Sequence, residues 1–131
     1  VRSFITYNRA LSKKIYAAAD IFLMPSRSEP CGLSQMIACR YGTVPVVRET
    51  GGLYDSIKPY YEDEAGPHGN GFTFANYTAE DMGHALRRAL WGIQDEAGWK
   101  SLMWRAMMSN NSWDRSANDY IVVYQDTLNW A

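Results

Sequence analysis

Apolar residues occur along the chain in short runs and in helical stripes, which predicts strands that alternate with helices. The predicted strands are Val1–Ile5, Ile21–Met24, Val44–Val47 and Phe72–Phe74. The polar segment Tyr54–Asn70 is rich in proline, glycine and acids and is predicted to be a surface loop. Strands that alternate with helices indicate an α/β fold with a parallel sheet and right-handed crossovers.

Five stripes with a spacing of three and four residues predict helices. Their apolar positions are Leu11, Ile15, Ala18 and Ala19; Leu33, Met36, Ile37 and Tyr41; Met82, Ala85, Leu86, Ala89, Leu90 and Ile93; Trp99, Leu102, Met103, Ala106 and Met107; and Trp113, Ala117, Tyr120, Ile121, Tyr124 and Leu128. The first helix is predicted over Arg9–Ala19, the second from Gly32, and the fourth over Gly98–Ser109.

Glycine and hydroxyl residues mark where several of these helices begin or end. Gly42 is expected to end the second helix, because glycine adopts the left-handed cap conformation without penalty. Thr78, with Asp81 three residues later, predicts a capping box at the start of the third helix. Ser112 is expected to cap the last helix.

Two loops leave the carboxyl ends of predicted parallel strands, the edge of an open α/β sheet where ligands bind. The first follows Ile21–Met24 and carries Glu29, and the second covers the Thr-Gly-Gly sequence at positions 50–52. Free amide groups at the start of the second helix favour an anion, above all a phosphate; they belong to Gly32, Leu33 and Ser34. A bare phosphate would repel Glu29, so this carboxylate is predicted to hold hydroxyl groups of a sugar attached to the phosphate.

Composition and charge argue against several classes of partner. The chain has 131 residues, 47% of them apolar, and a net charge of −1 without a run of basic residues. This balance is typical of a globular domain and argues against nucleic acid or a membrane as partner. Cys31 and Cys39 have no zinc or redox spacing and are interpreted as free thiols. The sequence has no phosphate-loop motif and no carboxylate cluster, so we expect no metal or cofactor. It has no signal-peptide character and no initiator methionine, so we expect a cytoplasmic fragment of a longer protein.

Three motifs in the central part of the chain resemble one family. Glu-Pro-Cys-Gly-Leu-Ser-Gln at positions 29–35 is followed by Arg-Tyr-Gly-Thr-Val-Pro-Val-Val-Arg at 40–48 and Thr-Gly-Gly-Leu-Tyr-Asp at 50–55. In this order they closely resemble the bacterial glycogen synthases and plant starch synthases, retaining glucosyltransferases of the GT-B fold that use ADP-glucose. The resemblance runs through nearly the whole chain. It implies that residues 1–131 are a single partial domain, the C-terminal part of the nucleotide-sugar-binding Rossmann-like domain with its C-terminal helices, which lacks the first two strand–helix units.

The resemblance also implies roles for individual residues. Glu29 resembles the family's active-site glutamate, which contacts the donor glucose and stabilises positive charge on the transferring sugar. Related sugar transferases often have a second glutamate eight positions later, where this chain has Ile37, as the glycogen and starch synthases do. Tyr7 occupies the place of an aromatic residue that stacks on adenine. The segment expected to wrap the diphosphate and ribose comprises Cys31, Gly32, Leu33 and Ser34, and the loop expected near the glucose comprises Thr50, Gly51 and Gly52.

The activity implied is transfer of glucose from ADP-glucose to the non-reducing end of an α-1,4-glucan such as glycogen. In this family the cationic groups that stabilise the leaving diphosphate come from the first strand–helix turn of this domain and from a second domain. Neither is in this chain, so the isolated chain is expected to be inactive. A sheet edge and helix faces without their usual neighbours are expected to cause self-association.

Two other functions remain open at this point. The chain could be a nucleotide-sugar-binding module with no chemistry of its own. It could also belong to a related retaining glycosyltransferase that uses UDP-glucose, since stacking on Tyr7 tolerates either base.

Overall fold

A computed structural model describes residues 1–130, which form a parallel sheet flanked by helices and a small hairpin. The helices are α1 (Arg9–Ala18), α2 (Ser34–Arg40), α3 (Gly51–Ser56), α4 (Ala79–Gly92), α5 (Glu96–Met107) and α6 (Trp113–Asn129). The strands are β1 (Ile21–Met24), β2 (Val44–Arg48), β3 (Tyr61–Asp63), β4 (Gly66–His68) and β5 (Phe72–Phe74).

The main sheet has the strand order β1-β2-β5, and both strand pairs are parallel. Ile21 lies opposite Val44, and Val46 lies opposite Phe72. Helix α2 connects β1 to β2, as a parallel crossover requires. The predicted α/β fold with a parallel sheet is confirmed, and the carboxyl ends of the three strands meet at one edge.

The predicted strand at Val1–Ile5 is wrong, so the sheet has three strands rather than four. Residues 1–8 adopt no regular secondary structure, and the side chains of Val1 and Ile5 are fully exposed. Among residues 1–130, β1 pairs only with β2 and is a sheet edge. An extended segment without a hydrogen-bonding neighbour has nothing to hold it as a strand.

Strand β2 forms the centre of the molecule and is buried on both faces. Val44 and Val46 pack on one side of the sheet, and Val47 packs on the other, because successive side chains of a strand alternate. The first side also contains Phe72, Phe74, Ala85, Ala89, Trp99 and Leu102. The second side also contains Cys39, Leu53, Ile57 and Ala106.

Helix α2 begins later than predicted and buries a different face. Gly32 lies in the preceding loop with a φ of 71°, a left-handed conformation, and the helix starts at Ser34. The buried residues are Gln35, Ala38 and Cys39. The predicted stripe of Leu33, Ile37 and Tyr41 is exposed, at 65%, 41% and 42% respectively. Small side chains such as alanine and cysteine let the helix approach the sheet closely, which leaves the larger apolar residues outside. Gly42 ends the helix as predicted, with a φ of 79°.

The segment Tyr54–Asn70, predicted to be a loop, contains regular structure. Helix α3 runs to Ser56, and β3 pairs with β4 in an antiparallel hairpin. In this hairpin the Tyr61 and His68 rings stack with their centroids 4.7 Å apart, and His68 Nε2 lies 2.9 Å from Asp63 Oδ1. Stacked cross-strand side chains stabilise a hairpin that proline and glycine content alone does not predict.

The ends of the last three helices largely follow the predictions. The Asp81 amide donates to Thr78 Oγ1 at 3.2 Å at the start of α4. The Asp81 carboxylate accepts from the backbone amide of Asn76, at 2.9 Å, rather than from Thr78, so only half of the capping box forms. Helix α5 begins two residues before the predicted Gly98, and Ser112 occupies the N-cap of α6 without a side-chain hydrogen bond.

Helix α6 carries its apolar stripe on the surface. From Trp113 to Trp130 every side chain is exposed except that of Ser116, which is half-buried. The rest of the described chain therefore does not cover this stripe. None of the helices within residues 1–130 has both the length and the apolar composition needed to cross a lipid bilayer.

Candidate functional site

The loop that carries Glu29 is anchored by Arg48 at the end of β2. Arg48 Nη1 donates to the carbonyl of Arg27 at 2.7 Å, and Arg48 Nε donates to the carbonyl of Ala75 at 3.2 Å. The ring of Tyr77 lies 5.4 Å from the guanidinium carbon. One side chain of β2 thus holds the segments that follow β1 and β5. Its contact with the first of these, the Arg27 carbonyl, lies two residues before Glu29.

The two loops predicted to form the site are in direct contact. The Gly52 amide donates to the carbonyl of Glu29 at 3.2 Å. A Cβ atom at Gly51 would lie 2.1 Å from the carbonyl oxygen of Glu29, and one at Gly52 would lie 1.7 Å from that of Cys31. Since no side chain fits at such distances, the two glycines allow the loops to approach each other. Thr50 is the N-cap of α3, so the predicted glycine loop continues into a short helix.

A buried glutamine lies beneath this contact. Gln35 is fully buried, and its Nε2 donates to the carbonyl of Gly32 at 2.8 Å and to Ser56 Oγ at 3.0 Å. The same Nε2 atom of Gln35 lies 3.4 Å from the carbonyl oxygen of Cys31. Ser56 Oγ in turn donates to the carbonyl of Gly52 at 2.6 Å. Gln35 Oε1 has no hydrogen-bond partner within residues 1–130.

The remaining candidate residues differ in their solvent exposure. Cys31 and Leu33 are exposed, whereas Glu29 and Ser34 are half-buried. Tyr7 is 93% exposed and precedes α1. Because the strand expected to position it is not formed, the structure does not bring Tyr7 to the other candidates, and its stacking on adenine stays a prediction.

The two cysteines are free thiols in opposite environments. Burial raises the pKa of the Cys39 thiol from 9.0 to about 11, whereas Cys31 is exposed. Within the described part of the chain, no three His, Cys, Asp or Glu side chains come together in a way that could hold a metal ion.

A groove of about 860 Å³ lies beside the site, between α2 and the end of α5. Its apolar lining includes Leu33, Met36, Ile37, Ala106, Met107 and Met108. Leu33, Met36 and Ile37, three of the four residues predicted to be the buried face of α2, form one wall of this groove.

Gln35 and Arg48 lie within the sequence motifs, but neither was predicted to have a role. For Gln35 a signal was present, since a polar residue three and four positions before Ala38 and Cys39 shares their helix face. For Arg48 there was no local signal, because its carbonyl partners are 21 and 27 residues away in the sequence.

These features define an α/β domain with a glycine-lined candidate binding site at the carboxyl ends of its parallel strands. A family model described as glycosyl transferases group 1 matches residues 3–97, which is more than half of the chain. The chain belongs to this family.

Within this family, the chain is similar in sequence to bacterial glycogen synthases. The chain is 50% identical over 125 residues to the glycogen synthase of Geobacillus stearothermophilus, covering 95% of this chain and 25% of that protein. It is 48% identical over 126 residues to the glycogen synthase of Clostridioides difficile (strain 630), covering 96% and 26%. The chain thus spans about a quarter of the length of the curated relatives it matches.

A solved structure is similar in both sequence and fold. It is the catalytic domain of starch synthase IV from Arabidopsis thaliana bound to ADP and acarbose, with a TM-score of 0.83 and 42% sequence identity. The match covers 98% of this chain and 27% of that one. The predicted resemblance to glycogen and starch synthases and the predicted α/β fold of the GT-B type are confirmed.

Proposed function

We propose that the chain is the donor-binding portion of a glycogen or starch synthase. The complete enzyme would transfer glucose from ADP-glucose to the non-reducing end of an α-1,4-glucan, with retention at the anomeric carbon. Residues 1–131 would then be one partial domain, the C-terminal part of the nucleotide-sugar-binding domain. Membership of the family, the similarity to glycogen synthases and the similarity to an ADP-bound starch synthase support this proposal.

The observation that carries the proposal is the hydrogen bond from the Gly52 amide to the Glu29 carbonyl. It joins the only acid of the first loop to the glycine-lined backbone of the second loop. In the transition state of glycosyl transfer, positive charge develops on the sugar, and a nearby carboxylate stabilises it. We assign this role to Glu29, with Thr50, Gly51 and Gly52 beside the glucose.

We assign the diphosphate and ribose of the donor to the segment Cys31, Gly32, Leu33 and Ser34. Cys31 and Leu33 are exposed, which leaves room for a ligand over this backbone. Tyr7 is proposed to stack on adenine, since it is 93% exposed and free to meet a base.

The proposed transfer takes place on one face of the sugar. The bond from the anomeric carbon to the diphosphate oxygen breaks, and a bond to the 4-hydroxyl oxygen of the glucan end forms. The proton of that hydroxyl passes to the leaving diphosphate, which departs as ADP. We expect the chain to be inactive alone, because it spans a quarter of its relatives.

A cytoplasmic location fits this function. Cys31 and Cys39 are both free thiols, and thiols remain reduced in a reducing compartment.

A chimeric enzyme tests the proposal. The matched 125-residue segment of the Geobacillus stearothermophilus glycogen synthase would be replaced by this chain, and incorporation of labelled glucose into glycogen would be measured with ADP-glucose and UDP-glucose. The anomeric configuration of the new linkage, read by NMR, would test retention. We expect transfer from ADP-glucose, and a preference for UDP-glucose would replace the donor we propose.

Within the chimera, Glu29→Gln should lower kcat by about 100-fold or more, the usual loss when a group that stabilises transition-state charge is removed. Glu64→Gln is a matched control, since Glu64 lies exposed in the β3–β4 turn, and it should leave kcat unchanged. Thermal unfolding should be the same for both variants. Undiminished transfer by the Glu29→Gln chimera would show that this carboxylate has no catalytic role.

A further inference from the structure

We propose that Gln35 and Ser56 are positioning residues that hold the two strand-end loops in the geometry a nucleoside diphosphate requires. We call this pair the loop clamp. The inference rests on the proposed function, because it concerns the same diphosphate.

The loop clamp connects the two loops through side chains. Gln35 Nε2 donates to the Gly32 carbonyl in the first loop and to Ser56 Oγ. Ser56 Oγ donates to the Gly52 carbonyl in the first turn of α3. A continuous path of hydrogen bonds therefore runs from the diphosphate segment to the glycine loop, 20 residues later in the sequence.

The clamp also determines where the amide groups of the first loop point. In a trans peptide unit, the carbonyl and the N–H of the next residue point in opposite directions. Because the carbonyls of Cys31 and Gly32 turn inward to Gln35, the amides of Gly32 and Leu33 turn away from it. Neither amide donates to any acceptor within residues 1–130. Two free donors thus face the exposed side of the loop, where a diphosphate oxygen can accept from them.

The local packing allows little alternative geometry. Gln35 is fully buried, and a Cβ atom at Gly32 would lie 2.7 Å from its Oε1. Glycine at position 32 both adopts the left-handed φ of 71° and leaves space for the glutamine amide. Replacing the Gln35 amide by a group that cannot donate removes the hydrogen bonds that hold the Cys31 and Gly32 carbonyls inward.

The test is a comparison of two ligands on the 131-residue chain. NMR titrations would give the affinities for ADP and for adenosine, whose ratio isolates the contribution of the diphosphate. The variants are Gln35→Met, which keeps the shape without a donor; Gln35→Glu, which replaces the donor by a carboxylate; and Ser56→Ala. We expect ADP affinity to fall about tenfold in each, the effect of one lost hydrogen bond, with adenosine affinity unchanged. A purely structural defect would weaken both ligands together.

Ser109→Ala is the matched control. Ser109 Oγ accepts from Asn70 and donates to the Arg105 carbonyl, an arrangement similar to that of Ser56 but outside both loops. It should leave the ratio unchanged. Ser56→Ala is the milder change and carries the test if the Gln35 variants do not fold.

The outcomes separate this inference from the proposed function. If the unmodified chain binds ADP no better than adenosine, the loop clamp is overturned, whereas the proposed function is decided by the chimera, which contains the rest of the enzyme. If it prefers ADP and every clamp variant keeps the same preference, only the loop clamp is overturned. A loss of ADP preference in the Gln35 and Ser56 variants, with Ser109→Ala unaffected, supports the clamp.

Discussion

At the scale of single residues, Cys31 and Cys39 show how strongly position decides chemistry. Cys31 is exposed in the loop of the candidate site, whereas Cys39 is 2% exposed on the buried face of α2. The thiolate is the reactive form of cysteine. Burial makes the Cys39 thiol inaccessible, and it also raises the pKa of this thiol to about 11, so that the thiol stays protonated well above neutral pH.

Thiol labelling should therefore distinguish the two residues. With a disulfide reagent at pH 8, we expect one thiol to react rapidly and the second only after unfolding in denaturant. The Cys31→Ser variant should lose the rapid phase and keep the slow one. Two equally fast thiols would contradict the burial of Cys39.

The raised pKa of Cys39 also predicts a dependence of stability on pH. The unfolded thiol ionises near its ordinary value of 9.0, whereas the folded thiol stays protonated up to about 11. The contribution to stability is therefore complete below pH 9 and is lost as the pH rises from 9 towards 11. The slope within this window is about 1.4 kcal/mol per pH unit for one proton, and Cys39→Ala should remove it. Urea unfolding at several pH values would measure the difference, and equal slopes in both proteins would contradict it.

Ser34→Asp tests the proposed diphosphate segment. An added carboxylate there would repel a diphosphate, and we expect ADP affinity to fall about tenfold. Aspartate in the first turn of a helix favours the helix, so the loss would not arise from melting of α2. Ser101→Asp on α5 is the control, and NMR titration with ADP is the measurement. Unchanged affinity of the Ser34→Asp chain would indicate that this loop faces something other than phosphate.

At the scale of elements, two N-caps offer a matched comparison. Thr78 Oγ1 accepts a hydrogen bond from the Asp81 amide, whereas Ser112 makes no side-chain cap bond. We expect Thr78→Ala to lower the free energy of unfolding by about 1 kcal/mol and Ser112→Ala to change it much less. Chemical denaturation of both variants measures this. An equal effect at the two sites would mean that cap geometry does not decide the cost.

The elements also show how far the sequence predicts this fold. The strands β1, β2 and β5 follow from their largely apolar runs, because the strands of a parallel sheet covered by helices are mostly apolar. Val1–Ile5 has a similar pattern, but a pattern does not reveal whether a partner strand lies alongside. The face of α2 was wrong because Ala38 and Cys39 pack closer than the larger residues that carry the stripe.

The candidate site was predictable only in its backbone parts. Glu29 and the glycines at positions 51 and 52 lie in loops after apolar strands, and the rule for open α/β sheets brings such loops together. The role of Arg48 depends on carbonyl groups that are distant in sequence. The role of Gln35 depends on the left-handed turn at Gly32, which brings the Gly32 carbonyl to its amide. The predicted position of Tyr7 in the site depended on the strand Val1–Ile5, which does not form.

At the scale of the whole molecule, two apolar surfaces and one sheet edge remain uncovered by residues 1–130. They are the groove between α2 and α5, the stripe of α6 and the outer edge of β1. Apolar patches and unpaired edges of this kind favour association with another copy. We expect the isolated chain to self-associate, and light scattering at several concentrations measures this.

A variant pair tests which surface is responsible. Ile121→Lys places a charge within the apolar stripe of α6 and should shift the chain towards monomer. Asp119→Lys lies two positions earlier, on the other side of the helix, and should have little effect. A strictly monomeric unmodified chain would contradict self-association, and it would leave the proposed function unaffected.

The exposure of α6 has a consequence for how the fold responds to denaturant. The denaturant m value and the heat capacity of unfolding both scale with the surface that unfolding exposes. Most side chains of residues 113–130 are already partly in water, with Ile121 at 50% and Leu128 at 76% exposure. In a single copy of the chain, melting of this helix therefore adds less per residue to either quantity than melting of the buried elements, and both report mainly on the sheet with the helices packed against it. A chain in which α6 has melted would have an m value lower than that of the intact chain by less than the share of α6 in the sequence.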